Sequence, residues 1–220
     1  MDFIPADESA LFIKGFRLYT WWLFKRRFSA VWLKQEYEPC SVCKTVYYLN
    51  HHSWWDGLIP FLLNEFLFHQ QARALMEDKQ MRQYKFFRKI GAFSINRDDP
   101  RKAIASLRYA MQSFERDNAS LFIYPEGKIT PVGSPMDFEG GLAWLSNKLS
   151  DVDFVPIGIY QHTIRYDKAE LHLHVGTPTR LEDSMPNTVR TKLFEETLDQ
   201  MLEELRKKAG FDDSDYKRFM

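Results

Sequence analysis

Thr45-Val46-Tyr47-Tyr48-Leu49-Asn50-His51-His52-Ser53-Trp54-Trp55-Asp56-Gly57 is the stretch on which the reading of this chain turns. Its first five residues are β-branched, aromatic or aliphatic and predict a strand. From Gly57 to His69 the chain is apolar at helical spacing, and Pro60 is tolerated in the first helical turn. A short polar loop joins the two. Loops that leave a strand for a helix present side chains beside free helix N–H groups, so chemistry concentrates there. A carboxylate five positions after a histidine can close such a loop. Asp56 would then accept the His51 Nδ1–H and leave Nε2 as a general base. His52, four residues before Asp56, could form the same pair at helical spacing and is the alternative base.

Outward from this loop, short β-type runs alternate with longer helical ones. Strands are expected at Arg73–Met76, Ala92–Asn96, Leu121–Tyr124, Phe154–Tyr160 and Glu170–Val175. Lys79–Lys89 reads as a helix. Asp98-Asp99-Pro100 supplies an N-cap and an N1 proline for another, with Ile104, Leu107, Met111 and Phe114 as its apolar stripe. A long helix follows from about Asn187, with Val189, Leu193, Leu198, Met201, Leu202 and Leu205 on one face and Gly210 past its end. Leu171, Leu173 and Val175 alternate with His172 and His174, which places the two histidines on a solvated strand face. Repeats and linkers are absent. The pattern predicts one α/β layer fold, a mixed sheet flanked by helices.

The 220 residues are one domain's worth of chain, long enough to bury a core without disulfides or metal. With 45% hydrophobic and 27% charged residues, 10 Gly and 10 Pro, collagen-like and disordered classes are excluded. Aromatic residues are abundant, at 15%. The net charge of zero conceals an asymmetry: Ser9–Gln35 carries +6 with no acid, and Lys79–Arg108 carries +7. Such segments point to a face that meets phosphate. Residues 11–28 combine Trp21-Trp22 and several Phe with Lys14, Arg17, Lys25, Arg26 and Arg27, the composition of a helix in a membrane interface. The organisation expected is therefore a helical membrane-association segment over residues 1–38 and an α/β domain over 39–220. The longest apolar runs are far below the ~20 residues of a membrane span. The acidic start lacks the basic region of a signal peptide. Peripheral association with the cytoplasmic face of a membrane is the expectation.

The loop motifs resemble those of the glycerolipid acyltransferase family, which includes 1-acylglycerol-3-phosphate acyltransferases. Asn50-His51-His52-Ser53-Trp54-Trp55-Asp56 matches its Asn-His-x-Ser-x-x-Asp motif. Gly91-Ala92-Phe93-Ser94-Ile95-Asn96-Arg97 is similar to its second motif, Tyr124-Pro125-Glu126-Gly127 to its third and Phe154-Val155-Pro156-Ile157-Gly158-Ile159 to its fourth. The four stand in the family's order. The resemblance implies that His51, oriented by Asp56, deprotonates an acceptor hydroxyl, which attacks the thioester of acyl-CoA or acyl carrier protein. It further implies that Arg97 binds the phosphate of a lysophospholipid, and Glu126 with Gly127 its glycerol hydroxyls; no cofactor or metal is implied. Two departures stand out. Lys128-Ile129-Thr130 replaces the family's Thr-Arg-Ser, with Lys128 returning a positive charge as a point rather than a fork, and Asn96 stands where an Asp is common. A lysolipid or glycolipid without a phosphomonoester is thus an alternative acceptor.

Other readings carry less. His172 and His174 lack a Cys or carboxylate at ligand spacing. Cys40-Ser41-Val42-Cys43 runs into a strand instead of opening a helix and has no second pair, so neither redox nor zinc chemistry is indicated, and a reducing compartment suits both cysteines. A catalytically silent lipid-surface protein would have no physical need for both His51 and Asp56. Nucleic-acid binding lacks a motif, and the aromatics are not spaced as stacking platforms.

Overall fold

The computed structural model describes residues 3–220. Eight strands form one mixed sheet: β1 (Ala30–Gln35), β2 (Lys44–Leu49), β3 (Gln71–Glu77), β4 (Ala92–Ile95), β5 (Ala119–Ile123), β6 (Val152–His162), β7 (Glu170–Val175) and β8 (Lys217–Arg218). Their spatial order is β4-β3-β5-β2-β6-β7-β1-β8. From β4 to β6 neighbouring strands run parallel, β7 turns antiparallel to β6, β1 runs parallel to β7, and β8 closes antiparallel on β1. Parallel strands need crossovers, and helices on both faces supply them.

Burial on both faces explains the apolar runs. Tyr47 and Leu49 of β2 face one core, shared with Phe24 and Phe28 near the N-terminus and with Ile59 and Leu62. Val46 and Tyr48 face the other, shared with Leu107, Leu142, Phe194, Leu198 and Leu202. Each fully buried side chain of this size stabilises the fold by about 1.5–3 kcal/mol. The first core lies under α1 (Ala10–Arg27) and α2 (Ile59–Leu63). The second lies under α4 (Pro100–Ser113), α5 (Gly141–Lys148) and α6 (Asn187–Lys208). α3 (Asp78–Gln83) follows β3 directly.

The fold class, the expected strands and the Asp99 cap are borne out; Asp99 accepts from the Arg101 and Lys102 amides ahead of Pro100. Several details differ. Within residues 1–38, Ala10–Arg27 is the helix, but Ala30–Gln35 is a strand of the main sheet. Lys79–Lys89 is not one helix: α3 ends at Gln83, Tyr84 leaves helical geometry, and a 3-10 turn covers Lys85–Ile90. Both pieces remain anchored by Met81 and Phe87, which are buried. On α4, Ile104 is exposed while Ser106, Leu107 and Ala110 are buried. On α6 the buried face is Arg190, Phe194, Leu198, Leu202 and Leu205, so Val189 points outward.

His172 and His174 are buried, contrary to the solvated face expected from their alternation. β7 lies between β6 and β1, and the C-terminal tail covers it. His172 Nε2 lies 2.7 Å from Asp213 Oδ1, His174 Nε2 lies 3.1 Å from Glu36, and Tyr216 packs edge-on against both rings. The cysteine expectation is also corrected. Cys40 and Cys43 are joined as a disulfide across the turn before β2, their Cα atoms 5.0 Å apart.

Candidate functional site

Because β4, β3, β5 and β2 are parallel neighbours, their carboxyl ends open on one edge of the sheet, the place where α/β folds hold ligands. His51 follows β2, Glu77 ends β3, Arg97 follows β4 and Tyr124–Lys128 follows β5. Asn50 fixes the exit of β2. Its buried amide donates to the Ile159 carbonyl at 2.9 Å and accepts from the Ile159 N–H at 2.8 Å, tying the loop to β6.

Asp56 sits in the first turn of a short 3-10 helix (Trp54–Leu58) whose N-cap is Ser53. Its Oδ2 accepts from the backbone amides of His52 and Ser53, each at 2.7 Å, and its Oδ1 accepts from the Ser53 hydroxyl at 2.7 Å. His51 Nδ1 lies 3.2 Å from Oδ2. A carboxylate 1% exposed and held by three other donors has one orientation, so it fixes the ring and the Nδ1–H tautomer. His51 Nε2 keeps the lone pair. Tyr124 supports the same pair, its ring 4.5 Å from that of His51 and its hydroxyl donating to the Asp56 carbonyl at 2.5 Å. Burial first, and the nearby Asp56 charge second, push this phenol well above its ordinary value, so it remains a donor. The ring of His52 turns elsewhere: its Nδ1 lies 3.0 Å from the Thr130 carbonyl, and only its backbone reaches Asp56.

The second loop is joined to the first. The Thr130 amide donates to the His51 carbonyl at 2.9 Å, the Thr130 hydroxyl donates to Glu126 Oε1 at 2.9 Å, and the His51 amide donates to Glu126 Oε2 at 3.4 Å. Glu126 is therefore buried as a brace between the loops and does not line the cleft, whereas Gly127 and Lys128 do. Gly127 has φ +65°, and a Cβ there would meet Arg97 Nε at 2.6 Å, so glycine lets the guanidinium lie on the turn. Arg97 donates through Nη1 to the Gly127 carbonyl at 2.5 Å, and through Nε at 2.8 Å, with Nη2, to Glu139. Glu139 was not legible as a site residue, since nothing in a glycine- and proline-rich loop 42 positions away marks its pairing with Arg97. Tyr124 and Ser53 stand inside the quoted motifs, but their bonds to Asp56 are tertiary facts.

His51, Tyr124, Arg97 and Lys128 open onto a cleft of about 150 Å³, continuous with solvent. Below these groups its walls are apolar, including Leu75, Met76, Ile95, Ile123 and Leu142. A small neighbouring cavity of about 30 Å³ shares Gly57, Pro60, Ala74 and Phe87 with it and reaches Phe61, which packs on Phe16 of α1 with ring centroids 5.0 Å apart. The cleft is mostly apolar, and the histidine is among the few polar groups that line it.

An imidazole held by a buried carboxylate over an apolar cleft, on the carboxyl edge of a three-layer α/β fold, is equipment suited to a group-transfer enzyme. The chain belongs to the Acyltransferase family, whose model matches residues 37–160, more than half of its length. Among solved structures, it is similar to the 1-acyl-sn-glycerophosphate (LPA) acyltransferase PlsC from Thermotoga maritima. The TM-score is 0.65 at 18% identity, over 88% of this chain and 79% of that one, which shows a shared fold. No curated protein matches the chain. The protein is thus an enzyme of the acyltransferase class.

Proposed function

We propose that the protein moves a fatty acyl group from the thioester of acyl-CoA or acyl carrier protein to a hydroxyl of a lysophospholipid such as 1-acylglycerol-3-phosphate. The observation that carries the reading is His51, its Nδ1 3.2 Å from a buried Asp56 and its ring at the mouth of the apolar cleft. His51 Nε2 takes the acceptor's hydroxyl proton as the oxygen attacks the thioester carbonyl. The C–S bond then breaks, and the departing thiolate takes that proton from the imidazolium, which Asp56 stabilises in between. General-base help of this kind is worth ~10²–10⁴-fold, and positioning contributes much of the rest. The thioester is already activated, so the chemistry calls for no cofactor. Arg97 and Lys128 stand at the rim where the acceptor's head group would lie, and the apolar cleft takes acyl carbon.

A peripheral seat on the cytoplasmic face of a membrane fits α1. Leu11, Leu18, Trp21 and Trp22 are exposed on it beside Lys14, Lys25 and Arg26. Lys25 and Arg26 lie over the rings of Trp21 and Trp22 at 5.8 and 5.4 Å. Aromatic rings at headgroup depth with basic neighbours match an anionic lipid surface. No described helix is long and apolar enough to cross a membrane.

The test is thiol release from acyl-CoA and from acyl carrier protein, with and without lysophosphatidate, for the wild type and His51→Ala. Release that requires acceptor and His51 supports the reading. Wild-type turnover by His51→Ala would remove His51 as the base.

A further inference from the structure

We propose that Glu139 is a specificity-determining residue that sets the acceptor head group to a zwitterionic phosphodiester, a phosphate joined to a positively charged amine, instead of a phosphomonoester. The inference rests on the acyltransferase reading above and, within the lysophospholipids it names, selects a phosphodiester over the 1-acylglycerol-3-phosphate given there as the example.

What decides is which cations at the cleft mouth already have a counter-ion. Arg97 presents the planar fork that binds oxyanions best, yet Nε and Nη2 both go to Glu139 and Nη1 goes to the Gly127 carbonyl. Its positive charge already has a counter-ion. Glu139 is held there: its amide donates to the Pro125 carbonyl at 2.9 Å, and Phe138 before it is buried with its amide on Glu195. Lys128, exposed on the same rim, makes no ion pair with a carboxylate among the described residues. Glu77, the other acid lining the cleft, lies 3.7 Å from Lys79, which Asp98 holds more closely at 3.0 Å. Lys128 is therefore the cation lining the mouth that no carboxylate holds among the described residues.

A phosphodiester carries a single negative charge, which Lys128 matches. An ammonium beyond it would rest against the half-exposed Glu139 carboxylate. A phosphomonoester carries about −1.5 to −2 at neutral pH. It would need Arg97 as well, and so would have to displace Glu139 and leave that carboxylate beside its own charge. Like charges so placed select against a ligand as effectively as contacts select for one.

The experiment compares kcat/KM for 1-acylglycerophosphoethanolamine, lysophosphatidate and monoacylglycerol, presented in the same uncharged detergent micelles, for the wild type, Glu139→Gln and Glu139→Lys. The wild type is expected to prefer the ethanolamine lipid over lysophosphatidate by about tenfold or more. Glu139→Gln should raise lysophosphatidate turnover several-fold, and Glu139→Lys should reverse the preference, with melting temperatures unchanged. A wild type that prefers lysophosphatidate, or an acceptor ratio untouched by both substitutions, overturns the proposal while leaving the acyltransferase reading in place. Preference for monoacylglycerol also overturns it. Failure of every acceptor with both thioester donors would instead overturn the parent reading.

Discussion

His51 and Asp56 form a unit because the loop between them is short enough for one carboxylate to cap two backbone amides and still reach the ring. His51→Ala should lower kcat by ~10²–10⁴-fold with an unchanged melting temperature, since the ring is partly exposed at the cleft. Asp56→Asn should damage both activity and stability. The amide nitrogen cannot accept, so buried donors lose a partner at about 1–3 kcal/mol. Circular dichroism melts alongside turnover would separate the two variants. Gly127→Ala combines a left-handed φ of +65° with a Cβ 2.6 Å from Arg97 Nε. It should cost about 1–2 kcal/mol in backbone strain and, by moving Arg97, raise the acceptor KM more than it lowers kcat. Equal KM values for this variant and the wild type would show that Arg97 has no part in holding the acceptor.

At the scale of elements, α1 and β1 are read differently from sequence and structure. Removing residues 1–35 would delete the exposed helix together with Ala30–Gln35, which pairs along its whole length with β7. The sheet would lose a strand. The cleaner experiment is Trp21→Ala with Trp22→Ala, both about half exposed. If these rings enter the bilayer interface at about 2 kcal/mol each, liposome binding should weaken by ~100-fold or more while the melting temperature holds. Unchanged flotation would refute the membrane role of α1. On α6, Arg190 shows why the apolar periodicity predicted the wrong edge of the buried face. Its guanidinium is buried without a carboxylate partner among the described residues and donates to the carbonyls of Ser146, Glu182, Asp183 and Met185. Arg190→Leu keeps the volume but orphans those carbonyls, so a loss of several kcal/mol is expected, read as a fall in Tm of roughly 2–4 °C per kcal/mol.

For the whole molecule, the side of the sheet away from the site is closed by ionisable groups. Burial holds His162, His172 and His174 below the ordinary histidine value of 6.5. The unfolded chain therefore binds more protons than the folded one as pH falls through 6.5, and stability present above that pH is lost below it. Asp213 acts in the same direction at lower pH: burial raises its pKa, but His172, the Gly210 amide and Arg165 together outweigh burial and lower it. The melting temperature should hold from about pH 7.5 to 6.5 and decline steadily towards about pH 5. A flat profile over that range would contradict the buried-histidine account.

The chain alone determined the α/β class, because runs buried on both faces need neither periodicity nor partners to be recognised as parallel strands. It also narrowed the partner of Asp56 to His51 or His52 within one loop, and the fold chose His51 by turning the His52 ring onto the Thr130 carbonyl. Other features depended on residues distant in sequence. His172 and His174 look solvated by alternation, and only the tail carrying Asp213 and Tyr216 covers them. Cys40 and Cys43 show no structural signal until their turn brings the sulfurs together. Arg97 is cationic in any reading of the chain. That its charge is already answered by Glu139 follows only from the fold, because charge cancels through space and linear spacing records no distance between separate loops.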